Sequence, residues 1–242
     1  MSGENKAKAL AKHLDGIYSS CGSLETTCCR QCTCCRVACP QMKFCEASQI
    51  LSDVFNNWPK KDKAEFLLQC VRLFFSKSLV KPCPLLHGNQ CRTYAHRPLN
   101  CRLYGLWPAV AWEQRVERFA KAMKTERQNL PLNTQCQWVR RKDRGLGSLT
   151  DESIAEMFRK LDHIDVRTLS SEAKSSGERK AWELKVEKGW NYRTIHDWAL
   201  YVFYGEDMLS SMTLMVKQAS DAQLDALLKT MEEQMQNALD AE

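Results

Sequence analysis

The clearest hydrophobic pattern in the chain lies in SDVFNNWPKKDKAEFLLQCVRLFFSKSL, which begins at Ser52. Its apolar residues recur along one side at helical spacing: Phe66, Leu67, Cys70, Val71, Phe74 and Phe75. Proline is favoured in the first turn of a helix, so we predict that a helix begins near Pro59. Cys70 lies within the apolar stripe, and we expect it to be a buried small hydrophobic residue rather than a metal ligand.

Further helical periodicity predicts a mainly α fold. One helix is predicted in PAVAWEQRVERFAKAMK from Pro108, and three more in ESIAEMFRKLDHI, NYRTIHDWALYVFYGEDML and SDAQLDALLKTMEEQMQNAL. The polar stretch SSEAKSSGERK is predicted to be a flexible connection. We therefore expect helices packed around cysteine-rich loops that bind metal, followed by a helical C-terminal region.

A change of composition suggests where the chain divides. RKDRGLGSLTDES contains two glycines and a serine ahead of a helix-capping pattern. We predict a cysteine-cluster metal-binding domain over residues 1–146 and a helical region over residues 147–242.

Charge and cysteine are both concentrated before this boundary. Residues 1–150 carry a net charge of +13 and all thirteen cysteines, whereas residues 151–242 carry −7. Metal-bound thiolates are negative, so neighbouring Arg and Lys would neutralise them. The alternative explanation for the basic charge is a nucleic acid or an acidic partner. The seven tryptophans are scattered and form no pattern of a base-stacking platform, so we expect no nucleic-acid partner.

The thiols are best explained by metal binding. No uncharged apolar run approaches the roughly 18 residues that span a bilayer, and the first residues lack the apolar core of a secretion signal. We therefore expect no membrane span and a cytoplasmic protein, in which thiols stay reduced. An odd number of cysteines also cannot all pair within one chain.

The stretch TCCRQCTCCRVACP places six cysteines within fourteen residues. One register through it is Cys-x-x-Cys-x-x-Cys-x-x-x-Cys-Pro, the spacing of a bacterial ferredoxin run, formed by Cys29, Cys32, Cys35 and Cys39. A short loop of this kind can ligate several iron atoms of a cubane. A zinc ion needs only four ligands, so the surplus of thiols favours iron–sulfur over zinc, although both metals accept tetrahedral thiolates. Three more cysteines lie within reach as additional ligands, namely Cys28, Cys34 and Cys45.

A second group of cysteines lies in KPCPLLHGNQCRTYAHRPLNCRLYGLWP, at Cys83, Cys91 and Cys101. These residues are too far apart for a single turn and can converge only within a folded loop. Two prolines flank the first cysteine, Gly88-Asn89 supplies a turn, and Arg97-Pro98 interrupts any helix.

These two segments resemble a cysteine-cluster family called YkgJ-type or CxxCxxCC, described as zinc- or iron-chelating. The resemblance covers about residues 28–107. Its second motif matches at Cys83, Cys91, Tyr94, Arg97, Pro98, Cys101, Arg102 and Tyr104. The first motif departs from the family pattern, because an adjacent cysteine is expected at Arg36 whereas the doublet here is Cys34-Cys35. The resemblance implies a metal centre built by both segments, and some members look like flagellin lysine N-methylases.

The number of candidate ligands predicts more than one metal centre. The seven cysteines at 29, 32, 35, 39, 83, 91 and 101, with an eighth from the additional three, would hold two 4Fe-4S clusters, or one cluster and a zinc ion. Arg97 and Arg102 are candidates for donating hydrogen bonds to cluster sulfurs or to a loop carbonyl.

Three functions are consistent with the sequence. The first is an iron–sulfur protein that transfers electrons or supports a redox or modification enzyme through a protein partner. The second is a cluster-dependent enzyme, such as a protein lysine N-methylase. The third is a zinc-stapled protein-interaction module. The sequence does not decide whether the protein is an enzyme.

Overall fold

A computed structural model describes residues 3–19, 39–78, 80–88, 90–103, 149–171 and 175–240, together with residues 113–114, 117–118, 120–121 and 124. Helices account for 76% of the described residues, which confirms the predicted mainly α class.

The helices of at least five residues in this part of the chain are α1 Gly3–Ser19, α2 Phe44–Asn57, α3 Lys60–Phe75, α4 Leu99–Leu103, α5 Asp151–Leu169, α6 Ser176–Glu187, α7 Ile195–Gln218 and α8 Asp221–Asp240. A short 3₁₀ helix spans Tyr94–His96, and the strands are β1 Gln41–Lys43, β2 Leu86–His87, β3 Gln90–Cys91 and β4 Tyr192–Thr194.

Helix α3 confirms the strongest sequence pattern. Pro59 is its N-cap residue, and all six positions of the predicted apolar stripe are buried. Cys70 is fully buried among them, as predicted for a small hydrophobic residue.

Two predictions about the C-terminal region require correction. Tyr192–Thr194, predicted as helix, forms strand β4, and helix α7 begins only at Ile195. The Thr194 side chain accepts a hydrogen bond from the Asp197 amide, and this cap fixes the helix start after the strand. The predicted flexible stretch becomes helical at Ser176, because the Ser175 hydroxyl accepts from the Glu178 amide and so caps α6.

Helices α1 and α2 were not predicted from the sequence. The helix predicted from Pro108 lies largely outside the described residues, and residues 141–148 of the predicted boundary lie outside them entirely.

Two small antiparallel sheets position the cysteine-bearing segments. In the first, β1 pairs with β4, with Met42 opposite Arg193. In the second, β2 and β3 form a hairpin in which His87 pairs with Gln90. Gly88 adopts φ 59° between these strands, a conformation that favours glycine and accounts for the predicted turn.

Three hydrophobic clusters form the core of the described residues. The first joins α2, α3, α7 and Cys83 around the fully buried Trp198. The second packs α1, α4 and α5 against Cys45. The third joins α3, α7 and α8. Residues from both sides of the predicted domain boundary thus pack into shared cores. Among the helices described, none has the length and apolarity required to cross a membrane.

Candidate metal centre

The end of the first cysteine stretch lies beside the start of the second. The Cys39 amide donates a hydrogen bond to the Lys81 carbonyl at 2.7 Å. The Cys39 thiol donates to the Pro40 carbonyl at 3.8 Å, and the interaction with Cys39 raises the pKa of Cys83. Cys39 is partly buried, and Cys83 is buried within the first hydrophobic cluster. The backbone and the thiols therefore join these two distant parts of the chain.

The β2–β3 hairpin returns the chain to this point. The Leu86 amide donates to the Cys83 carbonyl at 3.1 Å, and the Arg92 amide donates to the Leu85 carbonyl at 3.0 Å. Cys91 is the last residue of β3 and pairs with Leu86. A two-residue turn thus places Cys91 alongside the segment that carries Cys83.

Cys101 is positioned by the short helix α4. Its amide donates to the Pro98 carbonyl at 2.9 Å, which begins the helix directly after the proline. The buried Glu46 carboxylate accepts from the Leu99 amide at 2.6 Å and fixes the same end of α4 to α2. The sequence predicted that the cysteines lie in loops. Cys101 lies instead in helix α4.

The four thiols influence one another electrostatically. The interaction with Cys39, followed by burial, raises the pKa of Cys83 well above its ordinary value. Burial and then the charge of Cys83 raise the pKa of Cys91. Burial, Cys83 and Cys91 raise the pKa of Cys101 well above its ordinary value. In the neighbourhood formed by Cys39, Cys83, Cys91 and Cys101, whose Cys83 is also coupled to the buried Cys70 of α3, neutral thiols are favoured unless a cation is bound.

Two basic side chains lie at this neighbourhood. The Arg97 charge lowers the pKa of both Cys91 and Cys101, against the larger effect of burial. The Lys81 ammonium interacts with Cys39 and with Asp197, while burial lowers the pKa of Lys81. Positive charge is therefore available to balance thiolates, as the segregation of basic residues had led us to expect.

Arg97 and Arg102, which the sequence grouped together, have different surroundings. Arg102 donates from Nε to the Arg97 carbonyl at 2.7 Å and from an Nη to the Ala95 carbonyl at 2.8 Å. Its guanidinium also stacks over the Tyr18 ring at 4.1 Å. Arg102 thus donates hydrogen bonds to backbone carbonyls of the loop, whereas the charge of Arg97 acts on the thiols of Cys91 and Cys101.

The remaining described cysteines are placed differently. Cys45 is fully buried in the second hydrophobic cluster, where its thiol donates to the Leu161 carbonyl at 3.9 Å. Burial, followed by Asp165 and Glu46, raises the Cys45 pKa well above its ordinary value. Cys70 lies in the first cluster, and its pKa is raised by burial and then by Cys83. The other candidate ligands lie outside the described residues: Cys28, Cys29, Cys32, Cys34 and Cys35.

Within the part of the chain that the structure describes, no three His, Cys, Asp or Glu side chains already stand in a metal-binding arrangement. What the described residues offer is four neighbouring thiols and two cations. Thiolates at this density are suited to soft or borderline metals such as iron and zinc.

Sequence reasoning did not identify Lys81 or Glu46 as parts of this neighbourhood. Lys81 could have been noticed because it lies two residues before Cys83 in KPCP. Glu46 follows Cys45 directly, but no local pattern reveals that its carboxylate reaches the start of α4.

No family model, curated protein or solved structure matches this chain.

Proposed function

We propose that this protein binds metal through thiolates from both cysteine segments and carries an iron–sulfur centre of the 4Fe-4S type. The observation that carries the proposal is the 2.7 Å hydrogen bond from the Cys39 amide to the Lys81 carbonyl beside Cys83, together with the electrostatic coupling of Cys83 to Cys39, Cys91 and Cys101. Three backbone hydrogen bonds connect the segments that carry Cys39, Cys83 and Cys91, so the proximity of these three residues does not depend on the thiols alone.

The surroundings of the four thiols support this proposal chemically. Four thiolates gathered in one place would repel one another strongly without a cation. Lys81 and Arg97 offset part of that charge, and a bound metal would offset the rest. Among the described residues the buried Nε–H of Arg97 has no hydrogen-bond partner, which suits a site whose acceptor is a metal-bound sulfur.

The ligands are proposed to come from both segments. Cys39, Cys83, Cys91 and Cys101 would act together with Cys29, Cys32 and Cys35. Cys45 is buried in the second hydrophobic cluster, beside the carboxyl groups of Asp165 and Glu46, and this environment argues against its use. Cys28 and Cys34 are therefore the candidates for an eighth ligand. Eight thiolates would hold two four-iron clusters.

The function that we propose for this centre is electron transfer, or support of a redox or modification enzyme, through a protein partner. A bound iron–sulfur cluster would supply one-electron chemistry. The polypeptide would hold the thiolates and balance their charge with Lys81 and Arg97. Partial exposure of Cys39 and Cys91 would leave one side of the site near the surface, where a partner could approach.

A zinc-stapled interaction module is the second candidate. It is favoured by the number of described thiols in the neighbourhood, because four cysteines are a complete ligand set for structural zinc. Such a protein would bind zinc without sulfide and would unfold on chelation.

Anaerobic purification of the full chain tests the proposal. We expect iron and acid-labile sulfide in comparable amounts, broad visible absorbance, and a paramagnetic resonance signal after reduction. Fewer than about two metal equivalents per chain would contradict the two-cluster assignment. Zinc without sulfide would establish the second candidate, and a protein without bound metal would overturn both.

A further inference from the structure

A buried lysine and a buried asparagine meet where strand β1 pairs with strand β4. Lys43 is the last residue of β1, lies opposite Tyr192 in the pairing and is 7% exposed. Asn191 directly precedes β4 and is fully buried. The Lys43 Nζ atom lies 3.4 Å from the side-chain oxygen of Asn191. An amine and a carboxamide that are 148 residues apart in the chain are therefore held in contact in the interior.

Two carboxyl groups of helix α5 complete this cluster. Asp162 and Asp165 are three residues apart and so lie on the same face of the helix. The Lys43 Nζ atom donates to an Asp162 oxygen at 2.5 Å. The side-chain nitrogen of Asn191 donates to Asp162 at 2.8 Å and to Asp165 at 2.6 Å. These bonds direct the amide oxygen toward the lysine and the amide nitrogen toward the carboxyl groups.

The enclosed position of these groups favours their uncharged forms. Burial raises the pKa of Asp165 to about 6, so its protonated form is accessible near neutral pH. The contact between Lys43 and Asp162 gives the ammonium group a carboxylate that can accept its proton. An uncharged amine is a nucleophile, and a neutral carboxyl group is a proton donor. Both would therefore stand beside the same amide group.

We propose that Lys43 and Asn191 form an intramolecular isopeptide bond in the folded chain, with Asp162 and Asp165 as the proton-transfer groups. The cluster holds the amine and the amide in contact, so their reaction is effectively unimolecular. None of its steps involves the proposed metal centre.

The bond would form by transfer of the Asn191 acyl group to the lysine. Lys43 Nζ gives a proton to Asp162 and attacks Cγ of Asn191. Asp165 donates a proton to the Asn191 side-chain nitrogen, which leaves as ammonia when its bond to Cγ breaks. Asp165 then takes one of the two protons of the attacking nitrogen. The products are a secondary amide and ammonium, formed from ammonia and the proton on Asp162. Every atom keeps its oxidation state, so the reaction needs no oxidant or reductant.

Such a bond would tie the two halves of the chain together covalently. It would join β1, which follows Cys39 and Pro40, to β4 in the acidic half. A cross-link that closes a long loop restricts the unfolded chain and so stabilises the folded one. The segment after the first cysteine stretch would therefore stay attached to its partner strand even under denaturing conditions.

Mass spectrometry of the purified full chain under denaturing, reducing conditions tests the bond. We expect an intact mass lower than that of the sequence by one ammonia. Trypsin does not cleave after an acylated lysine, so digestion should yield a branched peptide that joins residues 37–60 to residues 189–193. Fragmentation of this peptide should place the branch at Lys43 and Asn191.

Three variants test the chemistry. Lys43→Arg keeps a positive charge beside Asp162 but cannot form this amide, so it should show the full, unlinked mass. Asp165→Asn lacks the proton donor, so we expect the linked form to appear at least about 100-fold more slowly. Asn57→Ala is the control: Asn57 also donates to a carboxylate, that of Asp53 at 2.8 Å, and its loss should leave the linked fraction at the wild-type value.

A wild-type chain with its full mass and no branched peptide would overturn the proposal. Loss of water with a branch at Asp162 would also overturn it, because the bond would then lie on a carboxyl group and not on Asn191. Formation of the linked form at the wild-type rate in Asp165→Asn would overturn the role given to Asp165. Mapping of the wild-type chain decides even if a variant fails to fold by circular dichroism. Its result is independent of metal content, which separates it from the test of the proposed function.

Discussion

Cys39 and Cys83 come from separate cysteine segments, yet the Cys39 amide donates a 2.7 Å hydrogen bond to the carbonyl of Lys81, two residues before Cys83. The contact fixes the last cysteine of the first segment against the first cysteine of the second. Any metal bound by Cys39 would therefore be close to Cys83, which makes this pair the natural starting point for mutagenesis.

Substitution of Cys83 by Ser is expected to lower the metal content, because Cys83 interacts with the other three described candidate ligands and serine is a poor ligand for soft metals. Cys45→Ser is the matched control: Cys45 is also buried, but it lies in the second hydrophobic cluster, and its pKa is raised by burial, Asp165 and Glu46 rather than by Cys83. Metal analysis after anaerobic purification should show loss in the first variant and wild-type content in the second. Equal metal content in the two variants would contradict the assignment of Cys83.

Substitution of Glu46 by Gln is expected to lower the free energy of unfolding by about 1–3 kcal/mol. The buried carboxylate accepts from the Lys43 amide at 2.9 Å, the Tyr18 hydroxyl at 2.9 Å and the Leu99 amide at 2.6 Å. A glutamine has one acceptor oxygen fewer and would turn an NH₂ group toward one of these donors.

Urea denaturation measures this effect, with Glu156→Gln as the control. Glu156 is paired with Arg159 on the surface of α5, so its loss should change stability by less than about 0.5 kcal/mol. Equal denaturation midpoints in the two variants would show that the Glu46 contacts contribute little.

His196 is expected to make the protein less stable in acid. Burial lowers its pKa from 6.5 to about 4, with opposing effects from Asp197, which raises it, and Lys81, which lowers it. Between these values the unfolded chain binds a proton that the folded protein does not, so stability falls as the pH falls through this window. The expected contribution is about 3 kcal/mol, and it is fully present above about pH 6.5.

His196→Gln should remove this contribution, so the variant should lose less stability than wild type on acidification. Urea denaturation at about pH 7 and about pH 4.5 provides the comparison. Parallel losses in the two proteins would mean that His196 is not protonated differently on unfolding.

Gly205 and Gly16 are expected to respond to alanine in opposite directions. Gly205 interrupts α7 with φ 74° and ψ 177°, a backbone conformation that is restricted almost entirely to glycine. A Cβ added at either glycine would have no atom within 4 Å of it, so crowding is not a factor. Gly205→Ala should cost about 1–3 kcal/mol through backbone strain.

Gly16 lies within α1, where alanine is the better helix former, so Gly16→Ala should stabilise the protein by about 0.5–1 kcal/mol. Thermal unfolding of both variants checks the pair. A shift of the same sign in both would contradict the conformations described for these two positions.

The sequence predicted those features that depend on a sustained local pattern. The apolar stripe of α3 runs over three turns, so its six buried positions could be identified from periodicity alone. Strand β4 contains only Tyr192–Thr194, which is too short to show an alternating pattern, and its partner β1 lies far away in the chain. The sequence assigned Tyr192–Thr194 to a helix because the residues that follow, from Ile195 onward, show strong helical periodicity.

The candidate site was predictable as a set of residues but not as an arrangement. Cysteine spacing identified the thiols, yet only the fold shows that Cys45 is buried in the second hydrophobic cluster while the Cys39 amide bonds to the Lys81 carbonyl beside Cys83. Arg97 and Arg102 are equivalent in sequence terms. They differ because the acceptors of Arg102 are backbone carbonyls brought near by the loop.

The pairing of β1 with β4 has a consequence for dissecting the protein. Residues 41–43 follow directly after Cys39 and Pro40, and they are hydrogen-bonded to residues 192–194. An expression fragment that ends at residue 146 would keep every cysteine. It would lose strand β4, which pairs with the β1 strand that follows Cys39. It would also lose Trp198, whose indole donates to the Met42 carbonyl at 3.1 Å. The acidic, cysteine-free half of the chain is thus a scaffold for the thiol-bearing half, and biochemical work on metal loading calls for the intact polypeptide.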